Sequence, residues 1–569
     1  MTTLAPVADP EVGLDPGRWV ALIVVITAAF IVVLDNTILN VAIPTIVRDM
    51  DTTLPSVEWV ITGYALTFAT FLIIGGRLGD LYGHRRIFII GVSLFGAGSL
   101  LASVSTSVPQ LILGEAVIEG IGASLMLPTT LALLSVMFRG RERAIAFAAW
   151  GATAGVAAAC GPVVGGFLTS NYSWRWSFRI NVIIAPLAIL GALFFMKKSA
   201  TPRRHVKIDV VGACLVASGM FLLVYALSQG SANGWWSPVR DVTIVGHNVW
   251  SASEPIASTP LIIAVALAIL AAFVFYERTK ERRNDDPLFE FAHLRHRTYR
   301  YGLMTGVIVA LGQFGLSFVL PVFLQSARHL TPEQNGMWQL PTGLFIIFGA
   351  QVGGRLTRFV GTTVVVRLGL LSYVLGLTFI LHAISMQITP WRLLPGLAFY
   401  GIGIGFAGAQ LTNVVLSEIP AESTGVASGA NTTMRQVGAA LGVATIGSLL
   451  SAQIISSSLH RINAASLSAA TKAQALAGVH ARGAFYTPSA STSAHDASVL
   501  QHALQASVAS GTRVVLVFAI IVVSIGLCVS FLIPRKDVVP EPAAVEAANR
   551  FEAVEPLDVD PALVEGRAV

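Results

Sequence analysis

Four ionisable side chains stand in stretches of sequence that offer them no water. Asp35 lies in the apolar run 19–43, Glu115 and Glu119 in 109–134, and Arg435 in 430–452. A charge inside a hydrocarbon layer is costly, so such residues mark ion pathways or substrate contacts by default. At 1.5 Å per residue, Asp35 sits about 12 Å from one end of its run, and the two glutamates fall at a similar depth in theirs. Glu115 and Glu119 are four residues apart, a helical spacing that puts both on one face. Desolvation and mutual repulsion oppose full ionisation of such a group of carboxyls, which makes protonation near neutral pH accessible. The chemistry expected is proton exchange or capture of a cation, carried by Asp35 and Glu119 with Glu115 assisting. A helix–helix hydrogen bond is the structural alternative for Asp35, and a structural ion pair the alternative for Arg435.

The elements that must hold these residues are read from composition. The chain has 569 residues, of which 54% are hydrophobic and only 12% charged, with a mean hydropathy of +0.71. Soluble proteins carry about 25% charged residues, so this is a polytopic membrane protein. A bilayer core of about 30 Å takes about 20 apolar residues as a helix. Fourteen runs of that size can be marked, predicting an all-α fold of 14 transmembrane helices. Basic residues test the count. The loops after even-numbered spans hold 21 Lys and Arg residues, against 6 in the short loops on the other side. By the positive-inside rule both termini are cytoplasmic and the cell membrane, as a bacterial inner membrane, is the expected location. The formal charge of +6 is thus a topological signal, and no nucleic-acid partner is expected. Cys160, Cys214 and Cys528 stand alone in apolar surroundings and read as packing residues. The first run has no basic segment before it and no cleavage signal after it, so it is expected to be a retained span.

Nothing points to covalent chemistry. H-E-x-x-H, G-x-S-x-G and the Gly-Lys of a phosphate loop are all absent, so neither an enzyme nor a self-contained ATPase is expected. No cofactor is expected; a proton gradient would supply the energy. His460, His480, His495 and His502 are too scattered to suggest a metal site.

The stretch "GGRLGDLYGHRR" at 75–86 returns as "GGRLTRFVGTTVVVR" at 353–367, with Gly75, Gly76, Arg77, Leu78 and Gly83 matched by Gly353, Gly354, Arg355, Leu356 and Gly361. Internal repeats of this kind are a transporter signature. The predicted organisation is a cytoplasmic N-terminus (1–18), a six-helix half (19–198) and two inserted helices with their flanking loops (199–300). A second six-helix half (301–536) follows, including an extracytoplasmic loop 453–512, and then a disordered cytoplasmic tail (537–569).

Residues 75–86 resemble the loop 2–3 motif of the major facilitator superfamily through Gly76, Asp80, Gly83, Arg85 and Arg86, with Leu81 departing from it. "LDNTILNVAIPTI" at 34–46 is similar to the first-span motif of the 14-span branch, the EmrB/QacA-type drug:proton antiporters. "AAACGPVVGG" at 157–166 resembles the span 5 antiporter motif, with Ala157 in place of its first Gly, and "NTTMRQVGAALG" around Arg435 a span 13 motif. In span 4 the family's R-x-x-Q-G becomes Ala116 and Glu119 before Gly120, which leaves the carboxyls without the usual basic neighbour.

The resemblance implies roles. Gly76, Arg77, Asp80, Gly83, Arg85 and Arg86 would form a conformational clasp, or a structural turn on the plainer reading. Gly161, Pro162, Gly165 and Gly166 would form a hinge between the halves, or a packing kink. Gln313, Phe314, Phe318, Gln410 and Arg435 are candidates for lining the cavity. The function implied is proton-coupled export of lipophilic, often cationic toxicants by alternating access. A lipid or secreted-metabolite exporter and a non-transporting receptor are the alternatives, and envelope partners are left unassigned.

Overall fold

A computed structural model describes residues 17–535 except 139, 197–208, 240, 245–246, 284–286, 290, 420–423, 487 and 490–491. The tail from 536 therefore lies outside the described residues. Helices dominate: α1 (Arg18–Asp49), α2 (Leu54–Tyr82), α3 (His84–Ser103), α4 (Val108–Met137), α5 (Gly140–Asn171) and α6 (Trp176–Phe195) make the first half. Two further helices follow, α7 (Val210–Asn233) and α8 (Ser258–Arg282), with an antiparallel hairpin of β1 (Val242–Ile244) and β2 (His247–Trp250) between them. The second half comprises α9 (Arg297–Ser326), α10 (Pro332–Val360), α11 (Thr362–Ala383), α12 (Pro390–Leu416), α13 (Thr424–Ala464) and α15 (Ala494–Ser530), with α14 (Ala469–Arg482) between the last two.

Among the described residues, eleven of these helices are long and apolar enough to cross a membrane. Among the others, α2, α5 and α10, of 29, 32 and 29 residues, pack into the same bundle. In α10 the Gln, Asn and Arg residues dilute the apolar content.

The two halves are built alike at the repeated loop. Gly83 (φ 95°) ends α2 and Gly361 (φ 83°) ends α10, both in the left-handed region where a side chain would be strained. Each closes its helix by donating its N–H to a carbonyl four residues back, Gly79 and Thr357 respectively.

Described contacts between the halves gather toward the end of the bundle opposite the two termini, here the distal end. Gly166 of α5 meets the backbone of Pro332 and Glu333 on α10, and Gly336 of α10 meets Pro162. Ser170 accepts the backbone N–H of Glu333 at 2.9 Å, and Gln325 of α9 donates to the Val41 carbonyl of α1 at 2.8 Å. Along the α2–α13 seam, Ala65 and Leu66 pack with Ala439, Ala440 and Ala444. Beyond the distal end, α13 and α15 continue as helices and enclose a small core of Ile462, Ala475, Val479, Leu500 and Leu504 with α14.

Candidate functional site

Asp35, Glu115 and Glu119 meet inside the first half. They are 2%, 1% and 0% exposed, and one oxygen from each lies within 4.8 Å of the other two. Asn181 of α6 joins the group, donating from its side-chain amide to Asp35 at 2.8 Å and to Glu119 at 3.1 Å. Tyr64 of α2, 2% exposed, turns its ring into the same interior and lies within electrostatic reach of all three carboxyls. One oxygen each of Asp35, Glu115 and Glu119 has no hydrogen-bond donor among the described residues. Three negative charges at this spacing, away from water and without a cation, would repel one another strongly. Protons shared between the carboxyls, or a bound cation held by the same oxygens, are the ways to neutralise the group.

The local backbone explains how two glutamates reach one place. Residues Ile112–Glu119 of α4 form a π-helix, so the α-helical face inferred from the four-residue spacing is replaced by a wider turn. Insertions of this type are uncommon in helices and recur at functional sites. Glycines bring α4 against α3: a Cβ on Gly98 would stand 2.6 Å from the Glu119 backbone nitrogen, and one on Gly114 2.7 Å from that of Ala102. Close backbone approach through small residues is how membrane helices pack, and here it sets the depth of both glutamates.

The first-span motif and the span 5 motif interlock. A Cβ on Gly161 would strike Thr37, and one on Gly165 would stand 3.0 Å from the Ile38 Cα. Since Gly166 and Pro162 pack on α10, this segment of α5 touches α1 on one side and the other half on the other. Asp35 lies two residues from Thr37, so α5 stands between this part of α1 and the other half. A cleft of about 330 Å³, lined by Ile26, Thr27, Phe30, Ala149, Thr153 and Val156, opens between α1 and α5 on the terminal side of Asp35.

The loop residues hold carbonyls. Arg85 donates to Ala192 at 3.0 Å and Leu193 at 2.6 Å, at the last turn of α6, where cations are favoured. Arg77 donates to the Pro287 carbonyl at 2.7 Å, tying α2 to the segment after α8. Arg86 is exposed, and the Asp80 side chain lies outside the described residues. Gly76 leaves ordinary contact room beside Pro128, whereas Gly75 lies against the Ser124 carbonyl of α4.

The other expected residues do not join the cluster. Arg435 packs its aliphatic stem beside Gly306 of α9, and its charge is not among those acting on the three carboxyls. Phe318 is 0% exposed and packs within the main core, which draws residues from both halves. Phe314 is partly buried between two packing clusters. The Gln313 carbonyl accepts from Ser317 and Tyr400, and the Gln410 side chain accepts from Asn413. Asn181 and Tyr64 were missed, although a lone amide in the apolar run "NVIIAPLAIL" was the available signal.

Comparison with known proteins agrees with this architecture. Residues 25–443 match the family model described as Major Facilitator Superfamily. The chain is 34% identical over 439 residues to the "Probable actinorhodin transporter" of Streptomyces coelicolor, covering 76% of this chain and 72% of that one. It is 32% identical to the "Puromycin resistance protein pur8" of Streptomyces alboniger (77% and 82% covered) and 31% identical to the "Multidrug resistance protein Stp" of Mycobacterium tuberculosis (74% of each). In fold it resembles a bacterial homologue of the lysosomal transporter Spinster, solved inward-facing and unoccupied, with a TM-score of 0.58 at 15% identity over 93% of this chain and 100% of that one. With the repeated halves, the membrane-length helices and the family match over most of its length, this chain belongs to the major facilitator superfamily and is a multi-pass membrane transporter rather than an enzyme.

Proposed function

We propose that this chain exports small lipophilic, often cationic compounds across a bacterial inner membrane in exchange for protons, by alternating access. The proposal includes fourteen spans with both termini cytoplasmic: α1–α13 and α15 would cross, and the distal end would face outward. The observation that carries it is the buried group Asp35, Glu115 and Glu119, which needs protons or a cation to exist where it does. A cluster that either species can neutralise makes cargo and protons compete, and competition for one site is sufficient to couple their opposite fluxes. The relatives' names, which speak of drug and antibiotic resistance, support export as the direction. Contacts at the distal end and a cleft on the terminal side support reading this conformation as inward-facing. No cofactor enters the proposal; one unit of pH gradient supplies about 1.4 kcal/mol per proton, and a potential of about 100 mV about 2.3 kcal/mol per charge moved.

A second reading keeps the mechanism and narrows the cargo to a secreted metabolite. It is favoured by relatives named for actinorhodin and tetracenomycin C. A panel of cationic dyes, neutral antibiotics, aromatic polyketides and lipids, tested in proteoliposomes with an imposed pH gradient, separates the readings. Efflux abolished by a protonophore is the expected result. Efflux indifferent to the gradient would remove proton coupling, and activity confined to polyketides would select the second reading.

A further inference from the structure

A second buried carboxyl lies outside the cluster, where the two halves meet. Glu58 stands near the distal start of α2 and is 0% exposed, and neither of its carboxyl oxygens has a hydrogen-bond partner among the described residues. Gly447 of α13 faces it so closely that a Cβ there would fall on the carboxyl, 2.9 Å from Oε2 and nearer still to Oε1. The same stretch of the two helices is otherwise apolar, with Leu54, Val57 and Ile61 on α2 and Ile446, Leu450 and Ile454 on α13 all buried. The titratable groups on helices packed around the seam include Asp35 and Asp49 on α1, Tyr64 on α2, Glu115 and Glu119 on α4, Tyr225 on α7, Arg435 and His460 on α13 and Arg513 on α15. None of them hydrogen-bonds to the Glu58 carboxyl or sets a charge against it.

We infer that Glu58 is a proton-operated latch on the distal closure: seated against Gly447 it holds a proton, and parting of α2 from α13 exposes it to water, where the proton leaves. The physical step is simple. An ionised carboxylate needs water, donors or a cation, and the closed seam gives it none of these. Closing the distal end therefore takes up one proton from the distal side, and opening returns it there. This proton differs from any carried by the Asp35 cluster, because it enters and leaves on one side and is not transported. Its effect is on the balance of states, since acid on the distal side favours the closed form. The inference rests on the alternating-access reading only for its use in transport; the link between seam and proton stands without it.

The test uses purified full-length protein in nanodiscs, with Cys160, Cys214 and Cys528 replaced and spin labels at Asp51→Cys and Arg461→Cys, both exposed at the distal end. Asp35→Asn, Glu115→Gln and Glu119→Gln remove the titration of the carboxyl cluster, and the Glu58→Gln comparison isolates Glu58 from the remaining groups. Distances measured by pulsed electron resonance across pH 5 to 9 should show the closed population falling as pH rises, by about tenfold per pH unit above the midpoint for a single proton. Glu58→Gln should stay closed throughout. Gly447→Ala should open the seam at every pH, because its methyl displaces the carboxyl. A Glu58→Gln profile that still titrates like its parent overturns the inference, as does a parent population that does not respond to pH. A monodisperse peak with an unchanged melting temperature confirms that the Gln variant folds. Efflux in the unlabelled Glu58→Gln protein distinguishes the two readings: pH-independent closure with gradient-driven transport lost or slowed supports the latch in its transport role, whereas absent transport in the parent as well refutes the exporter reading alone.

Discussion

The first half and the second half share a scaffold but not a chemistry. Both end their second helix on a left-handed glycine, Gly83 and Gly361. Both send an arginine to the carbonyls at the end of their last helix: Arg85 to Ala192 and Leu193 of α6, and Arg367 to Ser530 and Ile533 at the end of α15. Arg367 does this from six residues past the glycine and Arg85 from two, so the contact was kept while its position in the sequence drifted. The carboxyl cluster has no such copy among the described residues. The helices of the second half carry instead the buried Tyr373–Tyr400 pair, with ring centroids 5.0 Å apart, and the cation Arg435. Duplication preserved what turns and caps a helix, whereas groups able to exchange protons in the interior were concentrated on one side. That division suits a machine in which one half holds the exchangeable charge and the other supplies a surface for it to work against.

The largest expected effect is Asp35→Asn. Gradient-driven efflux should fall to the level of empty vesicles with folding retained, because the amide keeps the shape and cannot cycle a proton. Arg435→Gln in the second half should weaken cargo binding and leave the response to the pH gradient in place. If Arg435→Gln abolishes the gradient response and Asp35→Asn does not, the division of labour between the halves is wrong.

Replacing both Glu115 and Glu119 by Gln should come next. Two carboxyls in a low-dielectric interior attract cations, so efflux of permanent cations should drop about tenfold or more while neutral compounds change little. A tenfold loss corresponds to about 1.4 kcal/mol. Equal losses for both cargo classes would leave these glutamates as general coupling residues.

Asn181→Leu should have a smaller effect, removing the donor shared by Asp35 and Glu119. An unsatisfied buried acceptor costs about 1–3 kcal/mol, which should appear as a lower melting temperature together with slower transport. Loss of stability without any change in transport would reduce Asn181 to a structural bridge.

The smallest expected effect is also the sharpest test of the repeat. Gly83→Ala and Gly361→Ala should each destabilise by about 1 kcal/mol, since both impose a side chain on a positive φ. Thermal unfolding in detergent checks this. Destabilisation at only one of the two positions would mean that the loops are equivalent in sequence but not in strain.

Much of this was legible because membranes make sequence patterns loud. A carboxylate in an apolar run, a repeated Gly-Gly-Arg-Leu and a bias of basic residues survive without any tertiary information. What the sequence did not disclose follows equally from physics. The π-helical turn at Ile112–Glu119 leaves no periodic trace in a run apolar on every side. Asn181 lies two residues beyond Arg179, and an amide so close to a charge does not stand out as buried. The full burial of Phe318 was not legible because a lipid-facing Phe, a cavity Phe and a core Phe look the same in a row of letters. Glu58 stands near the end of an apolar stretch, where a charge can ordinarily reach water, so its burial against Gly447 is visible only in the fold.

The 41 residues of α13 and the 37 of α15 are long beyond the needs of a span. At 1.5 Å per residue they reach about 60 Å and 55 Å, roughly twice a hydrocarbon thickness of about 30 Å. Both belong to the second half, and α14 braces their projecting ends into one stiff arm. The turn Gly483–Phe485 at the foot of that brace rests on α1 of the first half, with Phe485 packed against the main core. The arm is therefore a pointer fixed to one half and resting on the other. Under the alternating access proposed above, the angular motion is greatest in travel at the pointer's tip, which would make that tip the place where a fluorophore or a rigid binding fragment reads the transport cycle with the least disturbance to the machinery beneath.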